Sequence, residues 1–234
     1  MAEELKNIHT LFLEKMRQRS ILKPVVLKHP FPERPSRALG LIKIDGNIYE
    51  SDAFMRVMVL TTGIALTSRC TRSISLGPRT ALHMPLFSSE TILMGSKRAF
   101  LVDIHPTVRP QRWDSLGVEQ RLLALRSRYP ELLAQPIPLE GKINDIMSRA
   151  HVYVRVPPEL DAMAISLFND YLDVYLELVD AAAPVSAADQ AKAAEDFEQY
   201  HDTVINHDPA VKLYSMLFGA RGAVERVNDI FFAR

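Results

Sequence analysis

From Ser36 to Ile104 the chain shows no helical period, and this constrains its fold more than any other feature. Apolar residues come instead in short or alternating runs: Leu39 to Ile44, Ala53 to Leu60, Ile64 to Thr67, Met84 to Met94 and Ala99 to Ile104. Asp45-Gly46-Asn47 and Gly95-Ser96 read as hairpin turns. Strands joined by short turns pair antiparallel, because a parallel neighbour needs a long crossover.

Helical spacing surrounds this region. Glu3 to Arg19 reads as a helix with Leu5, Ile8, Leu11, Phe12 and Met16 on one face. Pro24 through Pro35 reads as a loop. After Pro106 to Pro110, Val118 to Arg128 is helical, and Tyr129 to Gly141 is a proline-containing connection. Val152 to Val154 reads as one more strand. Leu160, Met163, Ala164, Leu167, Phe168, Tyr171, Tyr175 and Leu178 keep helical spacing for about five turns. Ala188 to Val204 and Ala220 to Phe232 follow as helices. Helices must cover the sheet, so the expected fold is α/β: a three-layer α/β/α sandwich with a central, mainly antiparallel sheet. No composition shift marks a boundary, so residues 1–234 read as a single domain.

Lys+Arg and Asp+Glu both number 28, and this neutrality argues against a nucleic-acid binder. No apolar run reaches the roughly 18 residues of a membrane span. Met1-Ala2-Glu3-Glu4 lacks the regions of a signal peptide, so a cytoplasmic location is the expectation. The one cysteine, Cys70, cannot make an internal disulfide or hold an iron–sulfur cluster with cysteines of this chain. It reads as a packed strand residue, although Arg69 and Arg72 would also lower the pKa of a nucleophile there. The nine glycines form neither G-x-G-x-x-G nor a P-loop, and the seven histidines are scattered, so no metal site is expected.

Two acids stand out. Period two places Leu86, Ser88, Glu90, Ile92 and Met94 on one strand face. A carboxyl on a largely apolar face loses solvation, and its raised pKa suits a proton donor. The alternative is a glutamate on the exposed face of an edge strand. Asp208 precedes Pro209, which disfavours helix at Asp208 and makes it a natural N-cap for a helix through Tyr214 to Leu217.

Met84-Pro85-Leu86-Phe87-Ser88-Ser89-Glu90 resembles the Leu-Pro-x-Phe-x-x-Asp strand of the ferredoxin-dependent bilin reductases, which add electrons and protons to open-chain tetrapyrroles. Phe100-Leu101-Val102-Asp103-Ile104-His105-Pro106 resembles the strand that follows it. Asp208-Pro209-Ala210-Val211-Lys212-Leu213-Tyr214, with Phe218-Gly219 beyond, resembles the family's C-terminal Asp-Pro-Ala-Arg-Pro-Leu-Phe segment. Val152-Tyr153-Val154-Arg155-Val156-Pro157 resembles a strand whose arginine contacts a propionate. No one motif is specific; the ordered set, from 84 to 219, is moderately so. The resemblance implies one bilin reductase-like domain, a linear tetrapyrrole substrate with biliverdin IXα expected, no cofactor bound by the chain, and reduced ferredoxin as external electron donor. It implies Glu90 and Asp208 as proton donors facing the bilin from opposite sides, and Arg155 as a propionate partner.

The chain departs from the family's pattern in places. Ser73 stands where several members carry a catalytic His or Asn. Glu90 replaces the usual Asp and looks more like red chlorophyll catabolite reductase, a plant relative with the same fold. His83 is a candidate proton source from a shifted position, against a strand-end histidine. Arg72 and Arg79 are further candidates for a propionate, against solvated surface arginines, and His207 beside Asp208 completes the substrate-binding set. Three readings follow: a ferredoxin-dependent bilin reductase, a tetrapyrrole-binding protein on the same fold without turnover, and a chlorophyll-catabolite reductase-like enzyme.

Overall fold

The computed structural model describes residues 4–95 and 97–234. Met1, Ala2 and Glu3, with the N-terminal reading that rests on them, and Ser96 of the expected Gly95-Ser96 turn lie outside the described residues. A 3-10 turn over Glu4–Asn7 leads into helix α1 (Ile8–Arg19). Strands β1 (Lys23–Pro24), β2 (Ile42–Glu50), β3 (Phe54–Ile64), β4 (Cys70–Pro78), β5 (Leu86–Met94) and β6 (Lys97–His105) follow. Helices α2 (Pro110–Leu116) and α3 (Val118–Arg126) precede β7 (Val152–Arg155). The chain ends in α4 (Asp161–Asp180), α5 (Ala187–His207), α6 (Pro209–Phe218) and α7 (Ala220–Val227), with a π-helical turn at Asn228–Phe232. The seven strands form one sheet in chain order, each pairing antiparallel with the next.

Alternation along β3 shows how the sheet divides the core. Val57 and Val59 pack with Phe12 of α1 and Phe168 and Tyr175 of α4. Met58 and Leu60 pack with Phe197 of α5, Tyr214 of α6 and Val227 of α7. Helices therefore cover both faces, and each face buries its own apolar set. The first core is closed by polar ties: the Tyr175 hydroxyl donates to the Pro85 carbonyl at 2.9 Å, and the Tyr171 hydroxyl to Ala150 at 2.6 Å.

Several sequence expectations need correction. Asp45-Gly46-Asn47 is no turn; it runs through the middle of β2 opposite Thr61, Leu60 and Val59. Gly46 is there for close approach: a Cβ would stand 2.6 Å from Leu60 Cδ1 and 3.0 Å from the Val59 carbonyl oxygen. The Ile64 to Thr67 run is not a strand of its own; Ile64 ends β3 and the chain turns beyond it. The strand after that turn, β4, is foreshadowed in the sequence only by the reading of Cys70 as a strand residue, because Thr71-Arg72-Ser73 breaks up its apolar signal. Helix α2 went unread; Pro110 starts it, as proline suits a first helical turn. At the N-terminal helix Leu5, Ile8, Phe12 and Met16 are buried as expected, but Leu11 is exposed and Leu13 is buried in addition.

Candidate functional site

The second core does not close completely. Between the sheet and the C-terminal helices lies a cavity of about 800 Å³, within the roughly 300–1,000 Å³ of small-molecule sites. Its floor is built by strand alternation. On β5, Leu86, Ser88, Glu90 and Ile92 line it as period two requires. Ser73 on β4 stands directly opposite Glu90, and Leu101 of β6 flanks Glu90 on its other side. The roof comes from the end of α5, from Asp208 and α6, and from the segment around Lys142 to Met147.

Two carboxyl groups face this space, and the chain holds both there for local reasons. Glu90 is central in β5. Burial, then the nearby charge of Asp208, pushes its pKa up to about 7, while a hydrogen bond with the Ser73 side chain works the other way. Asp208 sits between α5 and α6 with extended backbone. Its Oδ1 accepts the Ala210 N–H at 2.7 Å, so the expected cap exists, and the same residue lines the cavity. Burial raises its pKa as well, against that backbone hydrogen bond and the influence of His105.

His105 was missed as a site residue. It ends β6 on the cavity face, with Nε2 2.6 Å from Ser88 Oγ and Nδ1 3.3 Å from the Ile146 carbonyl oxygen. Burial lowers its pKa, so the ring is neutral at pH 7. With Nδ1–H donating to Ile146, the Ser88 hydroxyl donates to Nε2. Beneath it Asp103 is fully buried and accepts from the Ser148 N–H at 2.9 Å and hydroxyl at 2.5 Å. The Tyr200 ring packs 5.4 Å from the His105 ring centre. The signal was in the sequence: Leu101, Asp103 and His105 alternate onto one face. Tyr153, Tyr200 and Tyr214 also line the cavity; burial raises each phenol's pKa, so all three stay neutral.

Of the other expected residues, Ser73 and His207 line the cavity. Arg155 shares a strand face with Tyr153 but is exposed and stands outside the cavity wall. Arg72 alternates onto the opposite sheet face, beside His9 of α1, because Thr71 and Ser73 take the cavity side. Arg79 donates to the Ser51 carbonyl at 2.9 Å and reaches Glu50 at 3.5 Å. His83 is buried, its Nε2 3.1 Å from Asp196 Oδ2, and the Arg109 guanidinium holds the other oxygen at 3.0 Å. Both Arg79 and His83 line a separate small depression, so the tertiary fold withdraws them from the main cavity. Among the described residues, the lysines lining the cavity are Lys142 and Lys212.

Residues 9–233 match the family model described as ferredoxin-dependent bilin reductase. A 15,16-dihydrobiliverdin:ferredoxin oxidoreductase of Gloeobacter violaceus is 28% identical over 66% of this chain and 64% of its own length. A phycoerythrobilin:ferredoxin oxidoreductase of Synechococcus sp. strain WH8020 is 22% identical over 67% of this chain and 63% of its own. The matched part thus spans less than two thirds of these curated relatives. The crystal structure of tomato phytochromobilin synthase in complex with biliverdin superimposes with a TM-score of 0.77 at 16% identity, covering 97% of this chain and 86% of that one.

Proposed function

Because this chain belongs to the ferredoxin-dependent bilin reductase family, we propose that it reduces a linear tetrapyrrole, biliverdin IXα or a close relative, with electrons from ferredoxin. The observation that carries the reading is the pair of desolvated carboxyls, Glu90 and Asp208, on one cavity of about 800 Å³. We read the chain as one domain and its layers as a three-layer α/β/α sandwich, a view supported by the two separate cores.

Saturating one bilin double bond takes two electrons and two protons. Electrons arrive singly from outside, so the chain's part is to orient the bilin, supply protons and stabilise the radical between transfers. Glu90, with a pKa near 7, is protonated often enough at neutral pH to donate and is acidic enough to do so readily. Its proton goes to the bilin, and the carboxylate left behind must be recharged. Asp208, next to His207 on the cavity wall, supplies the second proton from the helical side. Ser88, donating to His105, keeps its oxygen lone pairs for a pyrrole or lactam N–H. Lys142 and Lys212 are the cations at hand for the two propionates.

Anaerobic mixing of the protein with biliverdin and a ferredoxin-reducing system tests this. The expected outcome is conversion to a bilin with a shorter conjugated system. A shifted bilin spectrum without a reduced product would select the second reading, a tetrapyrrole binder without turnover, which Ser73 opposite Glu90 in place of an imidazole favours.

A further inference from the structure

One end of the sheet carries large apolar side chains that the fold does not use. The end of β3, the start of β4, the end of β5 and the starts of β2 and β6 all meet there. Leu66 is fully exposed, Leu39 is 87% exposed, Leu41 62% and Met94 46%. Leu39 and Leu66 also hold left-handed backbone, with φ of 50° and 63°. Leucine is disfavoured in that conformation, where glycine or asparagine is at ease. At Leu39 that backbone caps the 3-10 turn Ser36–Ala38 by donating its N–H to the Ser36 carbonyl, a task glycine or asparagine would perform without strain, and neither leucine side chain gains burial in return. The loops are tied together by the Ala65 N–H donating to the Leu41 carbonyl at 2.8 Å.

Positive charge shares this end. Arg69 before β4, Lys97 at the start of β6 and Arg155 at the end of β7 are exposed, and their charged groups make no ion pair among the described residues. Lys43 nearby is offset by Glu33 at 3.5 Å. From β2 to β7 is five strand spacings, about 24 Å at about 4.8 Å each, a width suited to a small protein. The cavity reaches towards this end: Thr62, Thr71 and Ile92 line it, and each is two residues from Ile64, Arg69 or Met94. At the strand rise, two residues are about 7 Å.

We propose that this sheet end is where an acidic, ferredoxin-type one-electron carrier docks, with Leu39, Leu41, Leu66 and Met94 as its apolar centre and Arg69 and Lys97 at its rim. The proposal rests on the reading above that ferredoxin delivers the electrons. Electron tunnelling falls off exponentially with distance, so a carrier must sit beside the bilin without entering its cavity, and this end allows that. An apolar centre with a charged rim is the usual anatomy of such an interface, the charges steering encounter.

Two double variants test the proposal, Leu39→Asn/Leu66→Asn and Arg69→Glu/Lys97→Glu. Asparagine tolerates left-handed backbone, so the first pair relieves strain and should fold at least as well as the parent. Each bilin-loaded protein is titrated with an acidic plant-type ferredoxin at low ionic strength. Bilin reduction is then followed anaerobically with that ferredoxin and, in parallel, with a small reduced viologen. Both variants should bind biliverdin and accept electrons from the viologen as the parent does. Their Kd and apparent KM for ferredoxin should rise about tenfold, with the charge variant's defect shrinking as salt is added. Unchanged ferredoxin binding in both variants overturns the proposal, and so does an equal loss with both donors. It is also overturned if the parent sediments as a dimer that Leu39→Asn/Leu66→Asn dissociates, or binds anionic vesicles through these residues while ferredoxin affinity is unaltered. If the parent reduces bilin with neither donor, the reduction reading fails, and the ferredoxin titration still decides the surface.

Discussion

At the scale of single residues, Glu90 and Asp208 share one cavity but sit in different surroundings, and groups so placed take different roles. Glu90→Gln keeps the size and the hydrogen bond to Ser73 but has no acid proton. It should bind biliverdin like the parent and lose at least about a hundredfold in rate, the low end for a general acid; normal product would remove Glu90 from the chemistry. Asp208→Asn keeps the cap on Ala210, since Asn caps about as well as Asp. Helix α6 should survive, and single-turnover spectra should show a partly reduced bilin accumulating. Stability should also report Glu90. Its pKa is 4.5 unfolded and about 7 folded, so between those values the folded state holds more proton. The stabilisation is full below 4.5 and is lost as pH rises to about 7, a change of about 3 kcal/mol or less. His9, lowered to about 4, and His105 act with the opposite sign, losing stability as pH falls below 6.5. The difference between parent and Glu90→Gln in denaturant midpoints from pH 4.5 to 7.5 isolates the glutamate. An identical pH profile for the two proteins would contradict the burial assigned to it. For the propionates, Lys212→Ala should weaken biliverdin binding by about 1.5–3 kcal/mol, and Arg155→Ala by less, since Arg155 stands outside the cavity wall. The reverse order in a spectral titration would restore the sequence's first choice.

At the scale of elements, the cavity depends on helices being pinned to particular strands. Helix α4 starts at Asp161, whose Oδ1 accepts from Arg98 of β6 at 2.5 Å, with both side chains buried. Asp161→Ala would leave the guanidinium buried without its partner and should destabilise the protein by about 3–5 kcal/mol. Replacing both residues with apolar ones should recover much of that, because the loss comes from an uncompensated charge. Equilibrium unfolding of the single and double variants checks this; equal losses in the two would refute it. On the other face, α5 is fixed by Asp196, which holds His83 and the Arg109 side chain and backbone. Over the next three turns or so, α5 delivers Tyr200, Val204 and His207 in succession to the cavity and hands over to Asp208. His83, weighed as a proton source against a strand-end histidine, thus stands against Asp196 on the helix that leads to the other acid.

At the scale of the whole molecule, one face of the sheet is filled by side chains and the other is partly hollow. The first core, with Phe12, Phe87, Phe168 and Tyr175, needs no ligand. The second is interrupted by the cavity, so α6 and α7 should open more easily than α4 in the ligand-free protein. Amide hydrogen exchange should show biliverdin slowing α6, α7 and the segment 138–147 while α4 is unchanged; uniform protection of all helices would argue against a cavity-local effect. The sequence by itself determined the antiparallel sheet, the long α4, the capping role of Asp208 and which residues share Glu90's strand face, though not whether that face is covered. These depend on period two, period 3.6 and proline stereochemistry, which act within a few residues. Of β4 it showed only Cys70 as a strand residue, because Arg72 and the flanking Thr and Ser interrupt the apolar pattern of a strand buried by its neighbours, and it misread Gly46, whose reason is the approach of Leu60 on the next strand. Which charged side chains reach the cavity was decided by tertiary structure alone. Arg72 lies one residue from Ser73, and that single step turns it to the opposite face of the sheet. Arg79 and His83 found nearer partners in Glu50 and Asp196, and His105 came to the cavity because the β5–β6 register set it opposite Leu86, within reach of Ser88. A side chain's partner is chosen by register and packing across the sheet, which no local spacing in the chain encodes.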